Sequence, residues 1–293
     1  MILDRLTAHD SRRDIIAEMK AGPLSGRVVA ITGASAGIGE ACAVRFARAG
    51  ARVVLMARRA GLLDGVAARI AAAGGEAIAL AGDVTSEDDN ARLVARAIEH
   101  YGRLDVMLAN AGAGYHGTLE QTPPDVARGL MDVNFIGTYL AARAAVPLFR
   151  RQRAGHLVVV SSIVGRRGIS GSTAYAATKA AQVGFAESLR VELAGTGIHV
   201  SLVFPISTRT EFHAAMARDY GHTIAGLGPK QDADTVAAAI ERALLKPRPE
   251  IYPHGPSRAL AVLNVIAPAL ADRLVQKYGR RRTADPAMPP HNA

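Results

Sequence analysis

The chain has no tryptophan, a single cysteine and few aromatic side chains. Aromatic residues make up 4% of its 293 residues and hydrophobic residues 49%, so the core has to be built mainly of Ala, Val, Leu and Ile. That mixture is typical of helices packed on a parallel sheet. Because Cys42 has no second cysteine to pair with, an intrachain disulfide is excluded. We predict a reduced, cytoplasmic setting in which Cys42 is a buried helix residue.

Several classes of function lack their sequence signals. The first twenty residues contain no apolar stretch of signal-peptide length. The net charge is +9, but the basic residues are scattered and form no helix-turn-helix, zinc-finger or aromatic-interleaved stretch, so no nucleic-acid partner is expected. The 9 histidines show no metal-ligand spacing, and no metal is predicted. Neither Ser161 nor Ser162 lies in a Gly-x-Ser-x-Gly elbow, which disfavours a serine hydrolase.

A regular alternation of strands and helices begins at Arg27. Apolar, β-branched runs predict strands at 28–31, 53–56, 77–80, 106–109, 157–160 and 200–204, and the predicted helices include 37–49, 88–101, 125–149 and 173–194. Continuous apolar strands between helices indicate a parallel sheet covered on both faces. We therefore predict an α/β fold: a single-domain, Rossmann-type, doubly wound parallel sheet with three α/β/α layers.

This domain is assigned to residues 26–253, with an N-terminal extension at 1–25 and a C-terminal helix and tail at 254–293. Residues 257–278 are predicted as one helix, whose apolar stretch is too short and interrupted to span a bilayer, which takes ~20 apolar residues. Four roles are open for this helix: packing on the protein's own surface, covering a pocket, joining a subunit interface, or peripheral contact with a membrane.

A glycine-rich turn follows the first predicted strand, with the sequence Thr32-Gly33-Ala34-Ser35-Ala36-Gly37-Ile38-Gly39. Glycines at the end of a strand let backbone N–H groups approach a pyrophosphate at a helix N-terminus. We expect Gly33, Ser35, Gly37, Ile38 and Gly39 to bind a dinucleotide there. The alternative is a tight strand–helix turn with no ligand.

The second predicted strand ends at Ala57-Arg58-Arg59, without the acidic residue that commonly receives the adenosine ribose of NAD. A carboxylate would repel a 2′-phosphate, whereas a guanidinium pairs with it. The sequence therefore favours NADP(H), with Arg58 as the first expected contact and Arg59 as the second. Alternatively, both are solvated arginines that open a helix.

Tyr175 and Lys179 are four residues apart on a predicted helix and therefore share one face. A free phenol has a pKa near ~10, too high for proton exchange at neutral pH. An adjacent ammonium stabilises the phenolate, so we expect Lys179 to lower the pKa of Tyr175 and make it a general acid or base.

Several short motifs follow one another in a fixed order: the Thr-Gly-x-x-x-Gly-x-Gly turn, Asp83-Val84, Asn110-Ala111-Gly112, Asn134, Ser162, Tyr175-x-x-x-Lys179 and Pro205. In these motifs the chain resembles the short-chain dehydrogenase/reductase family over about residues 25–253. The resemblance implies hydride transfer between a nicotinamide cofactor and a carbonyl or alcohol.

The resemblance also implies a role for each matched residue. Ser162 would bind the substrate oxygen, Tyr175 would exchange the proton, and Lys179 would hold the nicotinamide ribose. Asn134 would hold a water that links Lys179 to solvent. The implied cofactor contacts are Asp83, Val84, Asn110, Ala111, Gly112, Thr208 and Thr210. Asp83 is also a candidate cap for the next helix.

One position departs from the family pattern, because Ile206 follows Pro205 where the family usually has glycine. Isoleucine does not readily adopt the positive φ that glycine allows, so we expect a differently shaped loop before Thr208 and Thr210.

The substrate side is less specific. Tyr115 and His116 follow the fourth strand, and residues 206–228 resemble the variable segment that folds over substrate in this family; His116 is either a substrate contact or an exposed loop residue.

We predict an NADP(H)-dependent oxidoreductase for a lipophilic carbonyl or secondary alcohol. The alternatives are an inactive cofactor-binding regulator and a membrane-surface reductase of lipid-like substrates. The resemblance also implies a homodimer or homotetramer formed through the helices at 125–149 and 173–194.

Overall fold

A computed structural model of the chain describes residues 22–212, 214, 216, 218 and 230–280. Most of the predicted N-terminal extension and the end of the predicted tail lie outside the described residues. Leu24, which falls within the predicted extension, is fully buried, and its backbone N–H donates to the carbonyl of Ala49 over 2.8 Å. Residues 22–25 therefore pack against the same core as the strands that follow.

The strands of the described residues are β1 (Val28–Thr32), β2 (Arg52–Ala57), β3 (Glu76–Ala81), β4 (Val106–Ala109), β5 (Gly155–Val160), β6 (Ile198–Val203), β7 (Thr208–Arg209), β8 (Gln231–Asp232) and β9 (Glu250–Ile251). Seven of them form one parallel sheet in the order β3-β2-β1-β4-β5-β6-β9, and β7 pairs with β8 separately. This order is that of a doubly wound sheet, as predicted.

The helices of the described residues are α1 (Gly37–Arg48), α2 (Ala60–Ala72), α3 (Glu87–Tyr101), α4 (Pro124–Met131), α5 (Gly137–Gln152), α6 (Thr173–Glu192), α7 (Ala233–Leu245), α8 (Ser257–Ile266) and α9 (Pro268–Arg280). A π turn, Asp132–Ile136, joins α4 to α5, and a 3₁₀ turn, Ile163–Gly165, follows β5.

Two hydrophobic cores lie on opposite faces of the sheet, because successive side chains of a strand point to opposite sides. Val29 and Ile31 of β1 pack with α1, α2 and α7, whereas Val28 and Ala30 pack with α3, α5 and α6. Cys42 is buried in α1, as predicted. The three-layer α/β/α architecture is confirmed, and it explains why the strands are apolar on both faces.

The chain reverses its direction of winding between β1 and β4, which are neighbours in the sheet. A crevice forms at such a reversal, at the carboxyl ends of the strands, and it is where open α/β sheets bind ligands. The glycine turn after β1 and Asn110 after β4 are therefore adjacent.

Two helix predictions need correction. The helix predicted at 125–149 is interrupted by the π turn Asp132–Ile136. The helix predicted at 257–278 is two helices that meet at Ala267 and Pro268, because proline lacks the N–H that would continue the first helix. The short strand β9 was not predicted.

The two C-terminal helices are held against the loop that follows β5. Arg167 donates to Asn264 Oδ1 over 3.1 Å and also pairs with Asp272, and Asn264 donates to the carbonyl of Arg166 over 3.1 Å. Within the part of the chain that the structure describes, no helix has the length and apolar character needed to cross a bilayer.

Candidate active site

The glycine turn after β1 forms an open cradle at the start of α1. Gly33 and Gly37 have φ values of +66° and +62°, a region that side-chain-bearing residues rarely adopt. A Cβ on Gly33 would also lie 2.7 Å from Ala111 Cα, so only glycine fits there. Ala36, the N-cap of α1, has no side chain that could cap the helix, and the first N–H groups of α1 therefore stay available to an anion. The cradle fits a pyrophosphate.

Hydrogen bonds join this turn to the end of β4. Thr32 Oγ1 accepts from the backbone N–H groups of Asn110 and Ala111, both over 3.1 Å. Asn110 Nδ2 donates to the carbonyls of Thr32, over 3.0 Å, and Gly33, over 3.2 Å. Asn110 and Ala111, both predicted cofactor contacts, thus hold the glycine turn and the segment after β4 together at the base of the crevice.

Of the two arginines after β2, Arg59 lies closer to the glycine turn. Its Nη2 donates to Ser35 Oγ over 3.4 Å, and its Nη1 lies 3.2 Å from Glu211 Oε2. Arg58 is exposed. The sequence favoured Arg58 as the first phosphate contact, whereas the geometry places Arg59 against the turn.

Asp83 and Val84 lie just after β3. Asp83 Oδ1 accepts from Thr85 N–H and Oγ1, both over 2.9 Å, and Val84 is buried. The alternative that Asp83 caps the next helix is wrong, because Ser86 is the N-cap of α3 and accepts from Asp89 N–H over 3.2 Å.

Ser162, Tyr175 and Lys179 meet at the carboxyl edge of the sheet. Tyr175 and Lys179 lie one turn apart on α6, with Lys179 Nζ 5.8 Å from the centroid of the Tyr175 ring. Ser162, after β5, lies close enough to the Tyr175 hydroxyl to lower the pKa of that phenol. Ser161 is turned away, because its hydroxyl donates to the carbonyl of Lys179 over 2.9 Å. The structure therefore selects Ser162 over Ser161.

The pKa values in this group are dominated by burial. Burial raises the pKa of Tyr175 to about 12, and the neighbouring Ser162 hydroxyl opposes that shift. Burial lowers the pKa of Lys179 from 10.5 to about 7. The expectation that Lys179 lowers the pKa of Tyr175 is not met in this structure, because both groups are buried and the ammonium itself is destabilised.

Asn134 lies in the π turn between α4 and α5 and is fully buried. Its Oδ1 accepts from Ala113 N–H over 2.8 Å, and its Nδ2 donates to the carbonyl of Ala113 over 3.0 Å and to Thr178 Oγ1 over 2.9 Å. A Cβ on Gly112 would lie 3.1 Å from Asn134 Oδ1 and 3.6 Å from Lys179 Nζ. The end of β4 therefore lies directly against the Lys179 ammonium.

Residues 208–212, here called the covering segment, reach across this crevice. The side chain of Thr210 faces Gly37, whose Cβ would lie 3.0 Å from Thr210 Cγ2. Phe212 lies against Tyr175, with 6.0 Å between ring centroids. Thr208 instead donates to the carbonyl of Ile206 over 2.9 Å and accepts from Gln231 Nε2 over 3.2 Å.

The loop before the covering segment keeps a negative φ at Ile206, since Arg153 is the only non-glycine residue with a positive φ among those the structure describes. Ile206 therefore does not need the conformation that glycine would supply. The remainder of the predicted substrate segment, 213–228, lies largely outside the described residues.

Tyr115 and His116 lie in the loop that follows β4. The Tyr115 hydroxyl donates to the carbonyl of Gln121 over 2.7 Å. His116 Nδ1 lies 3.3 Å from Ser172 Oγ, at the start of α6. His116 is thus half-buried against the helix that carries Tyr175, rather than exposed on a loop.

A sequence profile described as short chain dehydrogenase matches residues 27–221 of this chain. The chain belongs to the short-chain dehydrogenase/reductase family. Members of this family are NAD(P)-binding oxidoreductases, and the chain is an oxidoreductase of this type.

Two relatives illustrate the similarity. An uncharacterized oxidoreductase of Listeria innocua is 36% identical over 228 residues, which cover 75% of this chain and 92% of the relative. Dehydrogenase/reductase SDR family member 7B of Bos taurus is 33% identical over 269 residues, covering 87% of this chain and 82% of the relative.

Solved structures of the family superpose on the fold. A metagenomic short-chain oxidoreductase in complex with NADP has a TM-score of 0.65 and 33% identity, covering 77% of this chain and 93% of its own. A short-chain dehydrogenase/reductase from Burkholderia phymatum in complex with NAD has a TM-score of 0.76 and 26% identity, covering 91% and 99%. These two proteins hold different dinucleotides, so the choice in this chain depends on its own residues.

Sequence reasoning missed three residues of the site. Gln182 lies behind Lys179, and Phe212 and Gly114 face the Tyr175 side of the crevice. Glutamine inside a helix gives no signal by itself. Phe212 is a helical residue within the predicted substrate segment 206–228 and was not singled out there, and Gly114 lies on a loop, where contacts do not follow from periodicity.

Proposed function

We propose that the chain transfers hydride between NADP(H) and a carbonyl or secondary alcohol, with a lipophilic substrate. The observation that carries the proposal is the meeting of Ser162, Tyr175 and Lys179 at the carboxyl edge of the sheet, beside the crevice between β1 and β4. A hydroxyl, a phenol and an ammonium in this position are the groups that carbonyl reduction needs.

Each of these residues has a distinct task in reduction. The hydroxyls of Ser162 and Tyr175 bind and polarise the substrate oxygen, and Tyr175, whose raised pKa of about 12 keeps it protonated at neutral pH, donates the proton. Lys179 binds ribose hydroxyls and offsets the charge left on the phenol. The bound nicotinamide supplies or accepts the hydride. Asn134 holds the loop after β4 in place through Ala113.

The cofactor assignment rests on charge and on the glycine cradle. Gly33, Ser35, Gly37, Ile38 and Gly39 would hold the pyrophosphate. The guanidinium of Arg59 next to Ser35 supports a contact with a 2′-phosphate, and the neighbouring Arg58 supplies a second cation. The other proposed contacts are Asp83 and Val84 with adenine, Asn110, Ala111 and Gly112 along the dinucleotide, and Thr208 and Thr210 with the carboxamide.

The surroundings of Tyr175 support an apolar substrate. Phe212 stacks at an angle on the Tyr175 ring, and both Phe212 and the buried Met216 contact Gly114, where a Cβ would overlap the Phe212 ring. These side chains offer an apolar wall beside the proton donor. A lipophilic ketone or alcohol would bury its carbon skeleton against that wall.

The test is NADPH oxidation with a panel of ketones by the wild type, Tyr175→Phe and Tyr101→Phe. Tyr101 ends α3 near Arg52, at the opposite edge of the sheet, and serves as a matched control. We expect Tyr175→Phe to lose roughly 10²–10⁴-fold in kcat with Tyr101→Phe unchanged. Equal activity of all three proteins would refute the assignment of Tyr175. Binding of NADPH without turnover of any ketone would instead favour the inactive regulator.

A second candidate is action at a membrane surface. Helices α8 and α9 expose the large apolar side chains of Val262, Val265, Ile266, Leu270 and Leu274. Basic residues accompany them, among them Arg258 and Arg273, which suits an anionic membrane. Co-sedimentation with anionic vesicles should fall in Val265→Glu, and equal sedimentation of both proteins would remove the idea.

We further propose a homodimer or homotetramer formed through α4–α5 and α6. Val191 on α6 is 77% exposed and Tyr139 on α5 is 39% exposed, so both helices offer apolar surface to a second copy. The molar mass from light scattering tests this arrangement, and a monomer at micromolar concentration would contradict it.

A further inference from the structure

Gln182 is a buried polar residue that lies directly behind Lys179. It is on α6, three residues after Lys179, and its side chain has no exposed surface. Its Oε1 accepts from Lys179 Nζ over 3.0 Å, and its Nε2 donates to the carbonyl of Asn134 over 2.8 Å and to Thr138 Oγ1 over 2.7 Å. The amide therefore has partners on both its oxygen and its nitrogen, which is what a buried glutamine requires.

The hydrogen bonds of Lys179 fix where its ammonium points. An ammonium has three donors, and in this structure two of them go to the carbonyl of Val160, over 3.0 Å, and to Gln182 Oε1. Gly112, in the crevice after β4, is also close, since a Cβ there would lie 3.6 Å from Nζ. The third donor makes no hydrogen bond within the described residues and is left for a ligand in that crevice.

The backbone carbonyl of Asn134 holds Gln182 in place on the side away from Lys179. It accepts from Gln182 Nε2 and from Thr138 Oγ1, over 2.8 Å and 2.7 Å. It belongs to the π turn, a feature that is frequent at functional sites. Gln182 therefore connects Lys179, on one helix, to a backbone group of another.

We propose that Gln182 is a positioning residue: its Oε1 accepts from Lys179 Nζ while its Nε2 donates to the Asn134 carbonyl, and this bridge orients the ammonium towards the nicotinamide ribose. The family resemblance implies that Asn134 holds a water linking Lys179 to solvent, and the Gln182 amide adds a connection within the protein between Lys179 and Asn134. The inference rests on the proposed function and adds a residue to it.

The chemistry around Lys179 makes this acceptor important. The groups that face its ammonium are the phenol of Tyr175 on α6, the carbonyl of Val160 on β5, the amide of Gln182, and Gly112 after β4. None of them carries a negative charge at neutral pH. Loss of Gln182 Oε1 would therefore disfavour the cation further and let the side chain turn away from the crevice.

The test compares Gln182→Met with Gln152→Met. Methionine keeps the length of the side chain and removes the amide. Gln152 is a matched control because its amide also makes several bonds, with Leu104 and Ala154, far from the crevice. The readouts are the dissociation constant of NADPH from nicotinamide fluorescence, the pH profile of kcat/KM, and urea unfolding.

We expect Gln182→Met to bind NADPH roughly 10-fold more weakly, the effect of losing one hydrogen bond to a charged group. We also expect the limb of its pH profile that reports Lys179 to move to lower pH. Gln152→Met should lose stability with both NADPH affinity and pH profile unchanged. If Gln182→Met does not fold, Thr138→Val, which removes one partner of Gln182 Nε2, should shift both readouts in the same direction by a smaller amount.

Unchanged NADPH affinity and pH profile in Gln182→Met, or in Thr138→Val where that variant replaces it, would overturn the inference. Equal changes in Gln152→Met would do so too, since the effect would then be one of general stability. Failure of the proposed function would give a different result. Tyr175→Phe would then remain active, and the dissociation constants of NADPH for the wild type and Gln182→Met would still test the role of Gln182.

Discussion

Replacing Lys179 with methionine should change how protein stability depends on pH. Lys179 is 3% exposed, and burial lowers its pKa from 10.5 to about 7. Between these two values the unfolded chain holds a proton at this site that the folded chain has lost, so the free energy of unfolding rises with pH. Below about pH 7 both states are protonated and the full cost of burying the cation applies.

The size of the effect follows from linkage. At 1.36 kcal/mol per pKa unit, the contribution of Lys179 rises by about 2–3 kcal/mol between pH 6 and pH 9. Lys179→Met lacks this contribution. The free energy of unfolding of the variant minus that of the wild type should therefore be about 2–3 kcal/mol more favourable to the variant at pH 6 than at pH 9. In Lys179→Met the carbonyl of Val160 and the amide oxygen of Gln182 lose the hydrogen bonds that they accept from Lys179. Neither acceptor titrates, so this loss is the same at both pH values and cancels in the comparison. His156, with a pKa that burial lowers to about 3, contributes equally to both proteins.

The assay is urea unfolding of the protein without added nucleotide, at pH 6 and pH 9. Lys246→Met is the control for replacing a lysine with methionine, because Lys246 is exposed at the end of α7. The stability difference of Lys179→Met should vary with pH by more than that of this control. A stability difference for Lys179→Met that does not vary with pH would refute the reasoning. It would mean that the ammonium is solvated rather than enclosed behind the crevice.

Three further predictions concern the glycine turn and its neighbours. Arg59→Ala should lower kcat/KM with NADPH about 10- to 100-fold relative to NADH, the worth of a charge-assisted hydrogen bond, and an unchanged ratio would assign the 2′-phosphate contact elsewhere. Gly33→Ala should weaken NADPH binding and cost more stability than Gly74→Ala, since both have a positive φ but a Cβ on Gly74 meets nothing within 4 Å; equal losses would contradict the contact with Ala111. Ser86→Ala should cost about 1 kcal/mol in urea unfolding through loss of the α3 cap, and no loss would show that the cap bond is not formed in solution.

The strands were predictable because burial on both faces leaves an uninterrupted apolar run in the sequence. The strand predicted at 106–109 is the observed β4, and the other five predicted strands differ from the observed ones by only one or two residues at an end. The strand β9 could not be predicted in this way. It has two residues and is defined by its pairing with Leu202 and Val203 rather than by a pattern of its own.

The helices show where local sequence stops being informative. The π turn inside the helix predicted at 125–149 depends on bonds to the Asn134 carbonyl from Thr138 and Gln182, and Gln182 belongs to another helix. The break at Ala267 did have a local signal in Pro268, which was treated as an interruption of one helix rather than as the start of a second.

The meeting of Ser162, Tyr175 and Lys179 was predictable from the sequence, but the electrostatics of the site were not. The order of the motifs predicted that Ser162, Tyr175 and Lys179 would meet, and they do. The pKa directions were not accessible, because they depend on how completely the surrounding helices remove water from the phenol and the ammonium. Which of the two arginines lies against Ser35 likewise depends on where the chain turns after β2, and it is Arg59.

The covering segment has a consequence for the order of events in a catalytic cycle. Its successive residues Thr210, Glu211 and Phe212 contact Gly37, Arg59 and Tyr175. These three contacts lie over the expected positions of the pyrophosphate, the 2′-phosphate and the reacting carbonyl. A backbone movement that frees one position has to disturb its neighbours, so admission of the dinucleotide and closure over the substrate become parts of a single rearrangement.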